Sequence, residues 1–234
     1  MPHSITINDP KTLSQIGKVR TESLIPNQQH TSIKLLTSAD CYQQRFLKYP
    51  GIATFHSFAE YLYALQLEID PNVRSFVPQP FVLHINNKRY IPDFYILRND
   101  KEYVFELKPQ GLMDEEKQRV AAAYFDYHNM IFKVISNEEV LAHEHKALNW
   151  LPIIQVLVCA NEYGLDTEAL EFKTWQKCVS YSDDPVIGDI LLPGHKEAEG
   201  FQEIALYRLI YRHRLVIDLS KQPISYDTVL KRCA

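Results

Sequence analysis

The chemistry this sequence offers is concentrated in residues 90–109, YIPDFYILRNDKEYVFELKP, which carry Asp93, Glu106 and Lys108. The stretch reads as two strands joined by a tight turn. Side chains alternate along a strand, so Glu106 and Lys108 share one face while Phe105 and Leu107 take the other. Pro92 cannot donate to a ladder, which suits a bend or a bulge. A bend there splays the strands and lets Asp93 lean toward Glu106. Two carboxylates then hold a hard divalent cation, with an ammonium beside them. Such a set activates a water and stabilises charge on a phosphorane-like transition state. The alternative is a surface hairpin whose charges are solvated. Against it, both strands are otherwise apolar and aromatic, where charges are costly unless paired or metal-bound.

The elements that must position these residues follow from periodicity. Residues 53–70, ATFHSFAEYLYALQLEID, predict a helix apolar nearly all round, with Phe55, Phe58, Leu62, Leu65 and Ile69 at helical spacing and Pro71 as its stop. Glu60 lies inside it and has two readings. Ser57-x-x-Glu60 is a capping box in which Glu60 reaches back to the Ser57 amide, and Glu60 is equally a third metal ligand. Residues 73–85, interrupted by Pro78 and Pro80, with 88–97 and 101–108 predict a meander of three strands, turning at Asn86-Asn87 and Asn99-Asp100. A helix over 113–127 buries Val120, Ala121, Tyr124 and Phe125; a strand follows at 130–136 and a helix at 137–146. Helix, three strands, helix, strand is the order of a restriction-endonuclease-like core, a mixed sheet flanked by helices. Before it, residues 1–30 read as a flexible or partner-ordered arm and residues 32–37 as a short strand. After it come helices at 150–161, 166–180 and 201–212, then a strand at 215–219 turning into ISYDTVL. Helices closed by a short hairpin suggest a winged-helix or similar small domain. The expected division is an arm at 1–30, a nuclease domain at 31–148 and a C-terminal domain at 149–234.

Composition narrows the function. The chain has 234 residues, 46% apolar and 23% charged, as an ordinary globular protein does. It has no apolar run long enough to span a membrane and no secretory leader, which predicts a cytoplasmic protein. Four dispersed cysteines without C-x-x-C spacing predict free thiols. A net charge of −4 argues against indiscriminate nucleic-acid binding. It leaves DNA open as a substrate but predicts weak unaided affinity, and so a DNA-binding partner. His143-Glu144-His145 lacks the H-E-x-x-H spacing of a zinc site and reads as a solvated helix end. Arg208, Arg212, His213 and Arg214 form either a surface face over a buried Tyr and Leu stripe or a DNA-contacting strip.

Pro92-Asp93 followed by Glu106-Leu107-Lys108 resembles the PD-(D/E)xK nuclease superfamily. Within it, the chain resembles the TnsA family, endonuclease subunits of heteromeric cut-and-paste transposases. The resemblance rests on Ser57-x-x-Glu60 opening a helix, Pro71-Asn72-Val73, Gln79-Pro80, Tyr90-x-Pro92-Asp93-Phe94, Glu106-Leu107-Lys108-Pro109 and the Val134-Ile135-Ser136 strand. The C-terminal part is similar to the family's small, mainly helical, winged-helix-like domain. The family's helical glutamate matches Glu60, its strand aspartate Asp93 and its lysine Lys108. Some members have Gln where this chain has Glu106, which changes the charge balance at the metal. The Q-x-x-x-Y helix motif of RecB-like nucleases is not matched, since Gln118 is followed four residues on by Ala122.

The resemblance implies a Mg²⁺-dependent endodeoxyribonuclease that cuts the non-transferred strand at transposon ends, leaving a 5′ phosphate and a 3′ hydroxyl. Glu60, Asp93, Glu106 and the Leu107 carbonyl are the implied ligands of one or two Mg²⁺, with Mn²⁺ as a substitute, and Lys108 acts on the attacking water or the pentacoordinate charge. The implied partners are double-stranded DNA, a DDE transposase (TnsB) and an AAA+ regulator (TnsC). The alternatives are a free-standing nuclease of the superfamily, for restriction, repair or junction resolution, and a non-catalytic scaffold bridging transposase and regulator.

Overall fold

The computed structural model describes residues 14–31, 40–191 and 196–233. The strand expected at 32–37 lies outside them, as does the first part of the expected arm. The chain divides into two compact units, residues 1–44 with 48–142, and residues 45–47 with 143–234.

The first unit holds β1 (Val19–Thr21), β2 (Tyr42–Arg45), β3 (Ile52–Phe55), α1 (Phe58–Ile69), β4 (Val73–Pro78), β5 (Leu83–Ile85), β6 (Lys88–Tyr90), β7 (Phe94–Arg98), β8 (Lys101–Lys108), α2 (Glu115–Tyr127), β9 (Met130–Ser136) and the short α3 (Asn137–Leu141). The helix expected from residue 53 starts five residues later. Ser57 caps it, its Oγ accepting from Glu60 N (3.2 Å), while Ile52–Phe55, rich in β-branched and aromatic side chains, forms a strand. Phe55 is therefore a strand residue, not part of the helical stripe. Lys48 Nζ covers the far end of α1, donating to Leu67 O (3.2 Å) and Asp70 O (2.7 Å).

Two of the three meander strands are interrupted. The first breaks between Pro78 and Leu83 and the second between Tyr90 and Phe94, at the prolines in each case. The pieces serve two sheets. The inner pieces β5 and β6 form a hairpin joined by β1 in the order β1-β5-β6, all antiparallel. The outer pieces belong to the central sheet β4-β7-β8-β9, antiparallel except for the parallel β8–β9 pair. This is the mixed sheet flanked by helices that the sequence predicts. Both turns form with paired positive φ, 49° and 63° at Asn86-Asn87 and 47° and 57° at Asn99-Asp100, the type I′ geometry that matches strand twist. Within the segment expected as an arm, β1 pairs in register with β5, Val19 opposite Ile85 and Thr21 opposite Leu83.

Each face of the central sheet is filled by different residues of the same strands. Phe94 packs with Phe55, Tyr63 and Phe76, and Phe105 with Tyr63, which places α1 over one face. Val104 lies on the other face, in a cluster with Val120, Ala121, Tyr124 and Phe125 of α2, Phe81 and Tyr90. Those α2 residues are the buried side that the sequence predicts.

In the second unit, α4 (Glu144–Glu162) replaces the two helical pieces expected at 137–146 and 150–161, and carries Pro152 internally. The helix that starts at Asn137 ends at Leu141, and His143 lies exposed at the N-cap of α4. The unit continues with α5 (Glu168–Ser180), α6 (Ile187–Ile190), α7 (Lys196–Tyr211), β10 (Leu215–Val216) and β11 (Lys231–Arg232). The expected strand at 215–219 is only two residues long, and its partner is Lys231–Arg232 rather than ISYDTVL. Arg208 works inside this unit. Its guanidinium donates to Thr167 Oγ1 (2.5 Å), Leu165 O (2.8 Å) and Asn161 Oδ1 (3.2 Å), and Arg212 pairs with Glu171. Arg208 is therefore committed to packing within the unit, and Arg212, though exposed, to an ion pair with Glu171.

Candidate active site

Asp93, Glu106 and Lys108 meet where β7 begins and β8 ends. Phe94 pairs in register with Phe105, and Asp93 N–H also donates to Phe105 O (3.1 Å). Two residues of one strand thus oppose one of the other, the arrangement of a β-bulge, which re-aims the side chain it carries. Asp93 Oδ2 accepts from Leu107 N (2.6 Å). Glu106 and Lys108 share a face with Val104, and Lys108 Nζ bonds Glu106 Oε1 at 2.6 Å. The Glu106 side chain is 3% exposed and that of Lys108 35%, so a buried anion carries a cation that reaches solvent.

Glu60 approaches from the first turn of α1. Its backbone N–H takes the Ser57 cap, and Ser57 Oγ donates to Glu60 Oε1 (3.0 Å). Its Oε2 accepts from His56 N (3.2 Å), one residue earlier than the capping-box geometry expected, and from Gln79 Nε2 (2.8 Å). Glu60 is thus both part of the cap and a member of the acidic cluster.

The electrostatics tie these groups together. The Asp93 carboxyl lies well above the usual carboxylate range, because it is buried and because Glu106 and Glu60 face it with like charge; the Leu107 N–H and Lys108 pull the other way. Burial works against the Lys108 ammonium, but the hydrogen bond and charge of Glu106, with Asp93 and Glu60 behind, outweigh it and raise its pKa.

Several residues at the site were not legible as functional in the sequence. Tyr90 donates its hydroxyl to Glu106 Oε2 (2.8 Å), and its own ionisation is pushed far up by burial and by Glu106. Lys117 of α2 sits 4.0 Å from the centroid of the Tyr90 ring. Burial lowers its pKa, with Lys108 adding to the effect and Glu106 and Asp93 opposing it. Gln79, buried between two prolines at φ 42°, donates its N–H to Asp93 O (2.9 Å) as well as its amide to Glu60. Such a left-handed, non-glycine residue at a site is strain held by its surroundings. Gln28 sets the orientation of that amide, donating Nε2 to Gln79 Oε1 (2.8 Å) and so leaving Gln79 Nε2 for Glu60. Gln79-Pro80 and Tyr90 were visible within family marks, though not as functional residues; Gln28 and Lys117 required the three-dimensional contacts.

Among the described residues, no three His, Cys, Asp or Glu side chains converge as a ready-made metal cage. Each carboxylate is instead held by its own internal donors: Ser57, His56 and Gln79 on Glu60, Leu107 N on Asp93, and Tyr90 and Lys108 on Glu106. The chemistry of the donor set nonetheless fits a hard cation. A carboxylate offers about four lone-pair positions, so these donors leave coordination capacity, and three neighbouring carboxyl groups opposed mainly by one lysine are short of positive charge.

Residues 70–137 match a family model described as the N-terminal domain of TnsA-like endonucleases. Asp93, Glu106, Leu107 and Lys108 lie inside the matched segment, and Glu60 just ahead of it. No curated protein matches the chain.

Proposed function

From a chain whose residues 70–137 form a TnsA-like endonuclease domain, we propose a Mg²⁺-dependent endonuclease subunit of a cut-and-paste transposase. It hydrolyses the non-transferred strand at transposon ends, working in the cytoplasm with a DDE transposase of the TnsB type and an AAA+ regulator of the TnsC type. The observation that carries the reading is the electrostatic facing of Asp93 by Glu106 and Glu60, with Lys108 bonded to the buried Glu106 and reaching solvent. The net charge of −4 supports a partner that supplies DNA affinity. No helix among the described residues is long and apolar enough to cross a membrane. The C-terminal unit, read as winged-helix-like, is the part that docks partner or DNA.

Glu60, Asp93, Glu106 and the Leu107 carbonyl would hold the cation, which when bound supplies Lewis acidity and a water of lowered pKa. The chain's own residues do the positioning. Gln79, itself oriented by Gln28, fixes Glu60 Oε2; Leu107 N–H fixes Asp93 Oδ2; Tyr90 OH fixes Glu106 Oε2. Lys108 Nζ, anchored on Glu106 and partly exposed, donates to the attacking water and to the phosphoryl oxygens. The water oxygen bonds to phosphorus and the bond from phosphorus to the 3′ oxygen breaks. The attacking water gives up one proton to bulk solvent, and the electron pair leaves on the 3′ oxygen, which takes a proton from solvent to become the 3′ hydroxyl.

The test is Mg²⁺-dependent cleavage by wild type and Asp93→Ala. Loss of one preorganised group at the reacting phosphate costs about 100-fold or more. Full Mg²⁺-dependent activity in Asp93→Ala would end this assignment.

A further inference from the structure

The three-stranded sheet β1-β5-β6 has two unlike faces. Val19, Leu83, Ile85 and Tyr90 point into the core. On the other face the register sets Arg20 directly opposite His84, and His84 directly opposite Arg89. Directly opposed residues of antiparallel strands share a face, so these three form one row across all three strands. Neighbouring strands lie about 4.8 Å apart, which puts the two arginine backbones roughly 10 Å from each other. All three residues are exposed.

The row lacks a counter-charge within the protein. Among the described residues neither Arg20 nor Arg89 makes an ion pair. Glu22, two residues along the chain from Arg20, makes no ion pair among those residues, and Glu116 holds Lys18 Nζ (2.9 Å). Strands β1, β5 and β6 carry no acidic residue at all. In a chain of net charge −4, this exposed face carries Arg20 and Arg89 with no acid from its own three strands.

We propose that the Arg20–His84–Arg89 row is a docking surface for the phosphate backbone of duplex DNA. The inference rests on the nuclease reading. Guanidinium groups present a planar fork that matches phosphate oxygens, and a row of them two strand spacings wide engages backbone, not base edges. Such contacts position a duplex and carry no sequence information. The row sits on the same hairpin as Tyr90, whose hydroxyl holds Glu106, so β6 joins the backbone contact directly to the candidate active site.

The experiment compares wild type with Arg20→Gln/Arg89→Gln. Binding of a fluorescent 30-base-pair transposon-end duplex is measured in Ca²⁺ across a salt series, and single-turnover cleavage of the same duplex in Mg²⁺ at saturating protein with the cognate DDE transposase present. Each phosphate contact contributes about 0.9 to the slope of log affinity against log salt, so the double variant should lose about two from the slope with its saturated cleavage rate unchanged. Equal slopes and equal affinities, with wild type still binding and cleaving, would overturn this inference and leave the nuclease reading standing. An unchanged slope with a lower saturated rate assigns the arginines a structural role and also overturns it. A wild type that neither binds the duplex nor cleaves it with the transposase present would overturn both readings together.

Discussion

Replacing Asp93 with asparagine should make the metal-free protein more stable while it removes activity. Asp93 is half-buried, with its carboxyl desolvated and faced by Glu106 and Glu60, and its pKa is raised well above the ordinary range. In the unfolded chain the same carboxyl ionises near pH 3.9. Between those limits the folded state binds the extra proton, so the contribution of Asp93 to stability is present at low pH and is lost as pH rises through the folded value. Asparagine is neutral throughout, and its Oδ1 still accepts the Leu107 N–H that Asp93 Oδ2 now takes at 2.6 Å. Each pH unit of elevation is worth about 1.4 kcal/mol. One unit alone corresponds to a rise of roughly 3–6 °C in Tm for a domain of this size. The assay is thermal melting in EDTA from pH 5 to 8, where the wild-type curve should fall relative to that of Asp93→Asn. Adding Mg²⁺ should then reverse the order, since a ligand at 100 times its Kd stabilises by about 2.7 kcal/mol and the variant has lost a ligand. If Asp93→Asn destabilises the metal-free protein by about 1 kcal/mol or more at pH 8, the picture of an acidic cluster short of positive charge is wrong.

Two other substitutions probe the site and its surroundings. Tyr90→Phe keeps the ring under Lys117 but removes the hydroxyl bonded to Glu106 at 2.8 Å; a hydrogen bond to a charged group is worth about 1.5–3 kcal/mol, so cleavage should fall roughly 10- to 100-fold, and an unchanged kcat/KM would show that Tyr90 does not position Glu106. Arg208→Ala strips donors from Thr167, Leu165 and Asn161 and should cost about 2–4 kcal/mol in a chemical-denaturation curve without altering the salt slope of duplex binding; a reduced slope at unchanged stability would return Arg208 to the DNA-contacting strip.

What was legible in the sequence was local. Glu106 and Lys108 share a face because strands alternate, and Asn86-Asn87 and Asn99-Asp100 form the turns that their residue types favour. The Pro92 bend was readable too, and it appears as the bulge that turns Asp93 toward Leu107. What was not legible depends on contacts distant along the chain. The prolines of residues 73–97 mark where the strands break, but nothing in the spelling shows that the pieces serve two sheets, because propensity cannot say which partner each piece finds. Gln28 reaches Gln79 across 51 residues, and Tyr90 reaches Glu106 across 16. Such polar pairs leave no periodic trace. Glu60 was ambiguous for a physical reason: one side chain serves the helix start and the acidic cluster at once, so both readings of Ser57-x-x-Glu60 had substance. The short β1 was hidden because three residues in a polar segment carry too little pattern to stand out.

The measurement that tests the central claim most directly is strand-specific cleavage of an end-labelled transposon-end duplex in Mg²⁺. Wild type and Lys108→Ala are each assayed with and without the cognate DDE transposase. Nicking of the non-transferred strand that requires both Lys108 and the transposase is the predicted result. Cleavage by the wild-type chain alone, indifferent to the transposase, would contradict the transposase-subunit reading, and an equally active Lys108→Ala would contradict the active site itself.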